Sequence, residues 1–253
     1  MRFFKYILYL SLILCLSNTS YSQVKKDTLR ILFVGNSYTY YSNMPSLVSK
    51  ISDNTRTKLI TSSITTGGAK LVEHWKGEKS DSIKKAIRKN DYDVVVIQGH
   101  SLGTIKNSNS FFKYAKKFCR LINNSGAKPY LFSTWAREYA PKKQVNITKA
   151  YKKAANEHNV EVVLVGEAWQ KAKQLQPEID LYDPDGSHPS PLGSFLTASI
   201  FVATFTKEFP ENVTELPFVS QSKNIDAIFV WENFRDLKLV AEIALEYTSK
   251  KGK

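Results

Sequence analysis

The chain has 253 residues, with 36 Lys and Arg against 23 Asp and Glu and a formal charge of +13 at neutral pH. That length suits one domain around a single core. Two cysteines are too few for a disulfide scaffold, and no Cys/His cluster has ligand spacing, so neither a disulfide-stapled module nor a metal site is expected.

The amino-terminal segment reads as an export signal. Arg2 and Lys5 precede a short apolar run over 7–16, and Ser20-Tyr21-Ser22 fits a small-x-small cleavage site. The run falls short of the about 20 apolar residues of a membrane-spanning helix. Residues 1–22 are therefore expected to be a signal peptide cut before Gln23. What remains, 23–253, is expected to be one secreted or periplasmic domain with no stable membrane insertion. Cys15 sits where a lipid-modified cysteine could, but Leu14 before it is bulky where a small residue is wanted. After cleavage Cys119 has no partner for an intrachain disulfide, and its helical surroundings predict burial.

Strand and helix patterns then alternate. Strands are predicted over 29–34, 58–64, 94–97, 129–133 and 160–165, several of them unbroken Val/Ile/Leu runs of the kind buried on both faces. Helices are predicted over 45–55, 80–89, 110–124, 144–158, 167–174, 191–205 and 236–247. Such alternation implies an α/β fold, a three-layer α/β/α sandwich on a mostly parallel five-stranded sheet. Segment 208–223 is the least patterned and reads as a surface excursion. Segment 176–190 reads as a long connection without clear structure, and loops of that length are commonly functional or disordered. The basic residues fall mainly on helical stretches, such as Lys84, Lys85, Arg88 and Lys89. They read as solvated faces, with attraction to an acidic polysaccharide or anionic envelope surface as the sharper alternative. No nucleic-acid motif accompanies the charge, so no nucleic-acid partner is expected.

Two distant segments supply complementary chemistry. Gly35-Asn36-Ser37 puts a hydroxyl directly after the first strand, where ligands of parallel sheets bind. Asp185-Gly186-Ser187-His188-Pro189 puts a carboxylate and an imidazole on one short loop, stiffened by proline and followed by a Ser190-Pro191 helix start. Nucleophile, base and base-orienting acid are the parts of a serine hydrolase. Read alone, each segment also fits an ordinary turn. Gly67-Gly68 follows the second strand and lets backbone N–H groups approach an oxyanion. Gln98 or Ser101, after the third strand, could add a side-chain donor. Gly99-His100-Ser101-Leu102-Gly103 also spells the nucleophile elbow of α/β-hydrolases, but that elbow needs a helix at once, and 104–109 reads as loop. Tyr38, Trp135 and Arg137 stand at strand ends. Trp135 could stack on a sugar, and Arg137 could bind a substrate carboxylate or hydroxyls.

These stations, in this order, resemble the SGNH (GDSL-type) hydrolase superfamily. Its blocks are a Gly-Asp-Ser-like segment, a glycine, Gly-x-Asn-Asp and Asp-x-x-His. They correspond here to Gly35-Asn36-Ser37, Gly67-Gly68, Gln98-Gly99-His100-Ser101 and Asp185 with His188. The resemblance spans nearly the whole exported portion. It is nearest to exported bacterial members with a Gly-Asn-Ser-Tyr-Thr opening and a Thr134-Trp135-Ala136-Arg137 segment. It implies a flavodoxin-like sheet and a serine esterase working without metal or organic cofactor. The catalytic residues would be Ser37, His188 and Asp185, with an oxyanion hole from Ser37, Gly68 and either Gln98 or Ser101. Two positions depart from the pattern: Asn36 stands for the usual Asp, and the third-block Asn is missing. A glycan or small-molecule ester is the expected substrate, an O-acetylated carbohydrate foremost. Lipid esters, thioesters, an α/β-hydrolase using Ser101 and a non-catalytic glycan-binding module are the alternatives.

Overall fold

Five runs of aliphatic and β-branched residues pair into one parallel sheet. They are β1 (Asp27–Gly35), β2 (Thr57–Thr65), β3 (Val94–Gln98), β4 (Lys128–Phe132) and β5 (Glu161–Val163), in the order β2-β1-β3-β4-β5. In this computed structural model the structure describes residues 27–210, 218–222, 225–229 and 234–249. The proposed signal peptide and its cleavage point lie outside the described residues.

Burial follows strand position. All of β3 is buried, as is β1 from Ile31 onward, whereas edge strand β2 buries only Leu59. On one side of the sheet pack α2 (Met44–Ser52), α9 (Pro191–Thr206) and α10 (Phe234–Ser249). On the other lie α3 (Leu71–Lys76), α4 (Ser80–Arg88), α6 (Ser108–Asn124) and α7 (Gln144–His158), while α8 (Val165–Leu175) follows β5 and touches both α7 and α9. Helix α9 is buried almost all round, which its nearly uncharged sequence permits. Phe201 on α9 meets Phe33 of β1 edge-on at 5.1 Å and Phe132 of β4 at 5.0 Å, clamping the helix across the sheet centre. Cys119 is buried, and burial pushes its thiol up to about 12.

The parallel three-layer architecture read from periodicity is the one observed. Differences lie in the short pieces. Ser37–Tyr40 forms α1 and Gly103–Lys106 forms α5, where 104–109 reads as loop from sequence. One-turn helices bury too few residues to leave a periodic trace. Within 208–223, Phe218–Ser222 is a strand, β6, paired antiparallel with β7 (Ile225–Phe229). Segment 176–190 is ordered by backbone bonds: Asp183 N–H donates to His188 C=O at 2.9 Å and Ser190 N–H to Leu181 C=O at 2.9 Å.

The strand order reverses direction between β1 and β3, because β2 lies on one side of β1 and β3 on the other. The carboxyl ends of β1 and β3 therefore flank an open crevice, the position where doubly wound sheets bind ligands.

Candidate active site

The turn after β1 places Ser37 at that crevice. Asn36 is the N-cap of α1: its Oδ1 accepts from Tyr38 N–H at 3.1 Å, and its Nδ2 donates to the Ala69 carbonyl at 3.0 Å. A carboxylate could cap but could not donate, so Asn36, where the SGNH pattern has Asp, ties the serine turn to the loop after β2. Gln98, at the end of β3, accepts from Asn36 N–H at 2.7 Å and Thr39 Oγ1–H at 3.0 Å, and its Nε2 donates to the Gly99 carbonyl. A Cβ on Gly35 would collide with Thr39 Oγ1 and Gln98 Oε1, so only glycine lets β1 approach β3 this closely.

The second half comes from the loop before α9. Gly186, at φ +63, makes the bend that returns the chain. Asp185 Oδ1 accepts from the N–H groups of Ser187 at 2.9 Å and His188 at 2.8 Å, and Oδ2 lies 2.5 Å from His188 Nδ1. His188 Nε2 lies 2.9 Å from Ser37 Oγ. Burial pushes the Asp185 carboxyl up, but the His188 ring and the two backbone N–H groups outweigh it and hold the carboxyl below its ordinary value. Ser190 Oγ accepts from Gly193 N–H at 3.0 Å, capping α9 with Pro191 in its first turn.

Aromatic rings hold the imidazole. Tyr41 stacks on His188 at 4.4 Å and 12°, and Tyr38 meets it edge-on at 5.8 Å. Tyr41 sits in a turn whose Ser42 adopts the left-handed region at φ 48, backbone strain of the sort that gathers at binding sites. Tyr38 hydroxyl bonds Ser187 Oγ at 2.8 Å.

Ser37, Gly68, His100, Ser101, Arg137 and His188 share one crevice of about 340 Å³. Ser37 is the first residue of α1, so its N–H has no intrahelical acceptor. Gly68, at φ +66, opens onto empty space, since a Cβ there would meet nothing within 4 Å. Ser101 lies beside the Tyr38 hydroxyl, and it is Ser37, not Ser101, whose hydroxyl meets the His188 imidazole. Two expected contacts are placed otherwise. Gln98 is only 1% exposed and does not line the crevice; both ends of its amide are engaged by the serine turn, so it positions rather than donates to substrate. Trp135 is 1% exposed, sandwiched between Tyr38 at 4.4 Å and Trp169 at 3.9 Å, and its Nε1 donates to Ser187 C=O at 3.0 Å. No indole face is left for a sugar.

His100 is the residue sequence reasoning passed over. It lines the crevice, and its Nδ1 accepts from Leu102 N–H at 3.3 Å, which puts the proton of the neutral ring on Nε2. Burial, then Lys70 and Arg137, lower its pKa and favour that neutral form. Its place directly beyond β3 was the available signal. Among the described residues no group of three or more His, Cys, Asp or Glu side chains is disposed to hold a metal, and no helix is long and apolar enough to cross a membrane.

No family model and no curated protein matches this sequence. Solved structures do. A candidate SGNH hydrolase from Slackia heliotrinireducens is 24% identical with a TM-score of 0.60, over 71% of this chain and 100% of that one. A DUF4886 family protein from Bacteroides uniformis is 19% identical with a TM-score of 0.66, over 87% and 94%. An acetyl xylan esterase, AlAXEase, is 17% identical with a TM-score of 0.53, over 68% and 98%. The class is therefore that of the SGNH hydrolase fold. This chain has that fold across its described α/β layers, with the crevice at the β1/β3 switch point.

Proposed function

We propose that this chain is an exported serine ester hydrolase that removes acyl groups, acetyl foremost, from carbohydrate. The observation that carries the reading is the hydrogen-bonded line Asp185–His188–Ser37 at the crevice mouth. The acetyl xylan esterase among the similar structures supports a carbohydrate ester.

In this reading neutral His188 takes the Ser37 proton on Nε2 as Oγ attacks the ester carbonyl. Asp185, held ionised by its three donors, keeps the Nδ1–H tautomer and stabilises the imidazolium. The tetrahedral oxyanion falls to the Ser37 and Gly68 N–H groups, with Ser101 or His100 in the place of the missing third-block Asn. Collapse breaks the bond to the alcohol, which leaves with the proton from His188. Water, deprotonated by His188, then frees the acyl group as its acid and restores Ser37.

The test is hydrolysis of 4-nitrophenyl acetate together with labelling by a fluorophosphonate. Ser37→Ala is expected to lower kcat by about 10³-fold or more and to abolish the adduct. An adduct on Ser101, or undiminished turnover in the Ser37 variant, would sink the assignment. Acetate release from a panel of acetylated polysaccharides, with the same variant as control, then ranks the substrates.

A further inference from the structure

Arg137 is half-buried in the wall of the crevice that holds Ser37 and His188. Its Nε is shut off from solvent and has no hydrogen-bond partner, and among the described residues its guanidinium joins no ion pair. Three carboxylates of the neighbouring segments already have partners. Glu138, next in the chain, pairs with Lys173 at 3.7 Å; Asp185 is held by His188; Glu73 sits with Lys70 at 3.6 Å. Lys70, Lys106 and Arg137 all bear on His100 at the crevice edge, against the single carboxylate of Glu73, so positive charge prevails there.

A partly desolvated, unpaired guanidinium is unfavourable to maintain for its own sake. Its planar fork is matched by an oxyanion with two coplanar oxygens, and such a bidentate pair strengthens as water leaves. A neutral sugar ester would leave that fork unanswered. We propose that the substrate is an ester of an acidic sugar, whose carboxylate docks on Arg137 while its O-acyl group meets Ser37. This rests on the ester-hydrolase reading of the same crevice. Arg137 is then the residue that selects substrate by charge, and once Arg2 and Lys5 leave with the signal peptide the remaining 34 basic against 23 acidic residues still draw an acidic polymer to the surface around it.

The experiment compares O-acetylated polygalacturonate with the same polymer after methyl esterification of its carboxylates, which removes the charge and keeps the acetyl groups. The readout is the ratio of kcat/KM on the acidic form to that on the neutral form. A wild-type ratio of about ten or more is expected, falling toward one in R137Q, with R137K intermediate because it keeps the charge without the fork. K89Q, an exposed lysine on another face, should retain the wild-type ratio. A wild-type ratio near one, or an unchanged ratio in R137Q, overturns the inference. A second arm does not need turnover: the Ser37→Ala protein is titrated calorimetrically with tetragalacturonate. Binding weakened about tenfold or more by adding R137Q supports the anionic subsite even if the aryl acetate is not hydrolysed, an outcome that would end the esterase reading alone. No binding by Ser37→Ala, or equal binding with and without R137Q, overturns the subsite.

Discussion

The Gln98 amide ends β3 with its oxygen shared between the Asn36 N–H and the Thr39 hydroxyl. Both donors are buried, so removing the acceptor strands them. Gln98→Leu keeps the volume and deletes the acceptor. It is expected to destabilise the fold by about 1–3 kcal/mol, read as a shifted urea midpoint. It should also lower kcat on 4-nitrophenyl acetate, with KM changing less, because Ser37 loses the turn that aims it. Full activity in that variant would deny Gln98 its positioning role. From sequence the same residue reads as an oxyanion donor, since a polar side chain beyond a strand end looks alike whether it points at substrate or at a neighbouring turn. Asn36 teaches the converse. An amide rather than the Asp of the SGNH pattern suits one acceptor, the Ala69 carbonyl, that only the folded chain brings near.

At the scale of elements, α9 has a second task beside filling the core. Its amino terminus carries Gly193, where a Cβ would collide with the Leu181 carbonyl and lie 2.7 Å from the Trp169 ring. Trp169 stacks on Trp135, which in turn holds Ser187 beside His188. Gly193→Ala is expected to push α9 from the loop that presents the imidazole, with a stability loss of about 1–3 kcal/mol. A fall in kcat should accompany it; an unchanged melting temperature and unchanged turnover would show that the loop does not depend on this contact. The long helices and the buried strands were legible from periodicity, and 144–158 was read with both its observed ends. The one-turn helices α1 and α5 were not, because a single turn leaves no repeat for a hydrophobic pattern to mark. The β6–β7 pair was missed because short alternating runs beside polar residues resemble loop.

The whole molecule should be acid-sensitive, and His74 is the main reason. It is 2% exposed, its Nε2 has no partner, and burial lowers its pKa to about 4, with Lys79 adding to the fall and Glu73 and the Gly35 carbonyl opposing it. The folded chain holds His74 neutral, whereas the unfolded chain protonates it near its ordinary 6.5. Between those values the unfolded state binds more protons, so stability is full above about pH 6.5 and declines as pH falls toward 4, by on the order of 3 kcal/mol. Asp185, with its lowered pKa, works in the same direction at still lower pH, since protonating it removes bonds made in the folded state. His74→Leu should flatten the dependence of melting temperature on pH between 6.5 and 4. A slope as steep as that of the unaltered chain would assign the acid loss to other groups.

The sequence by itself determined the class of fold, because the period of burial is written into the order of apolar residues and survives any detail of packing. It also carried the order of the glycine, serine, aspartate and histidine stations, since turn chemistry is local. Only the tertiary structure decided which side chains face the crevice. Trp135 went into a stack of rings and Gln98 into a clamp, while His100 and Arg137, its Nε without a partner among the described residues, were left on the wall. Those outcomes depend on neighbours far away in the chain, and no short-range pattern encodes where such neighbours will stand.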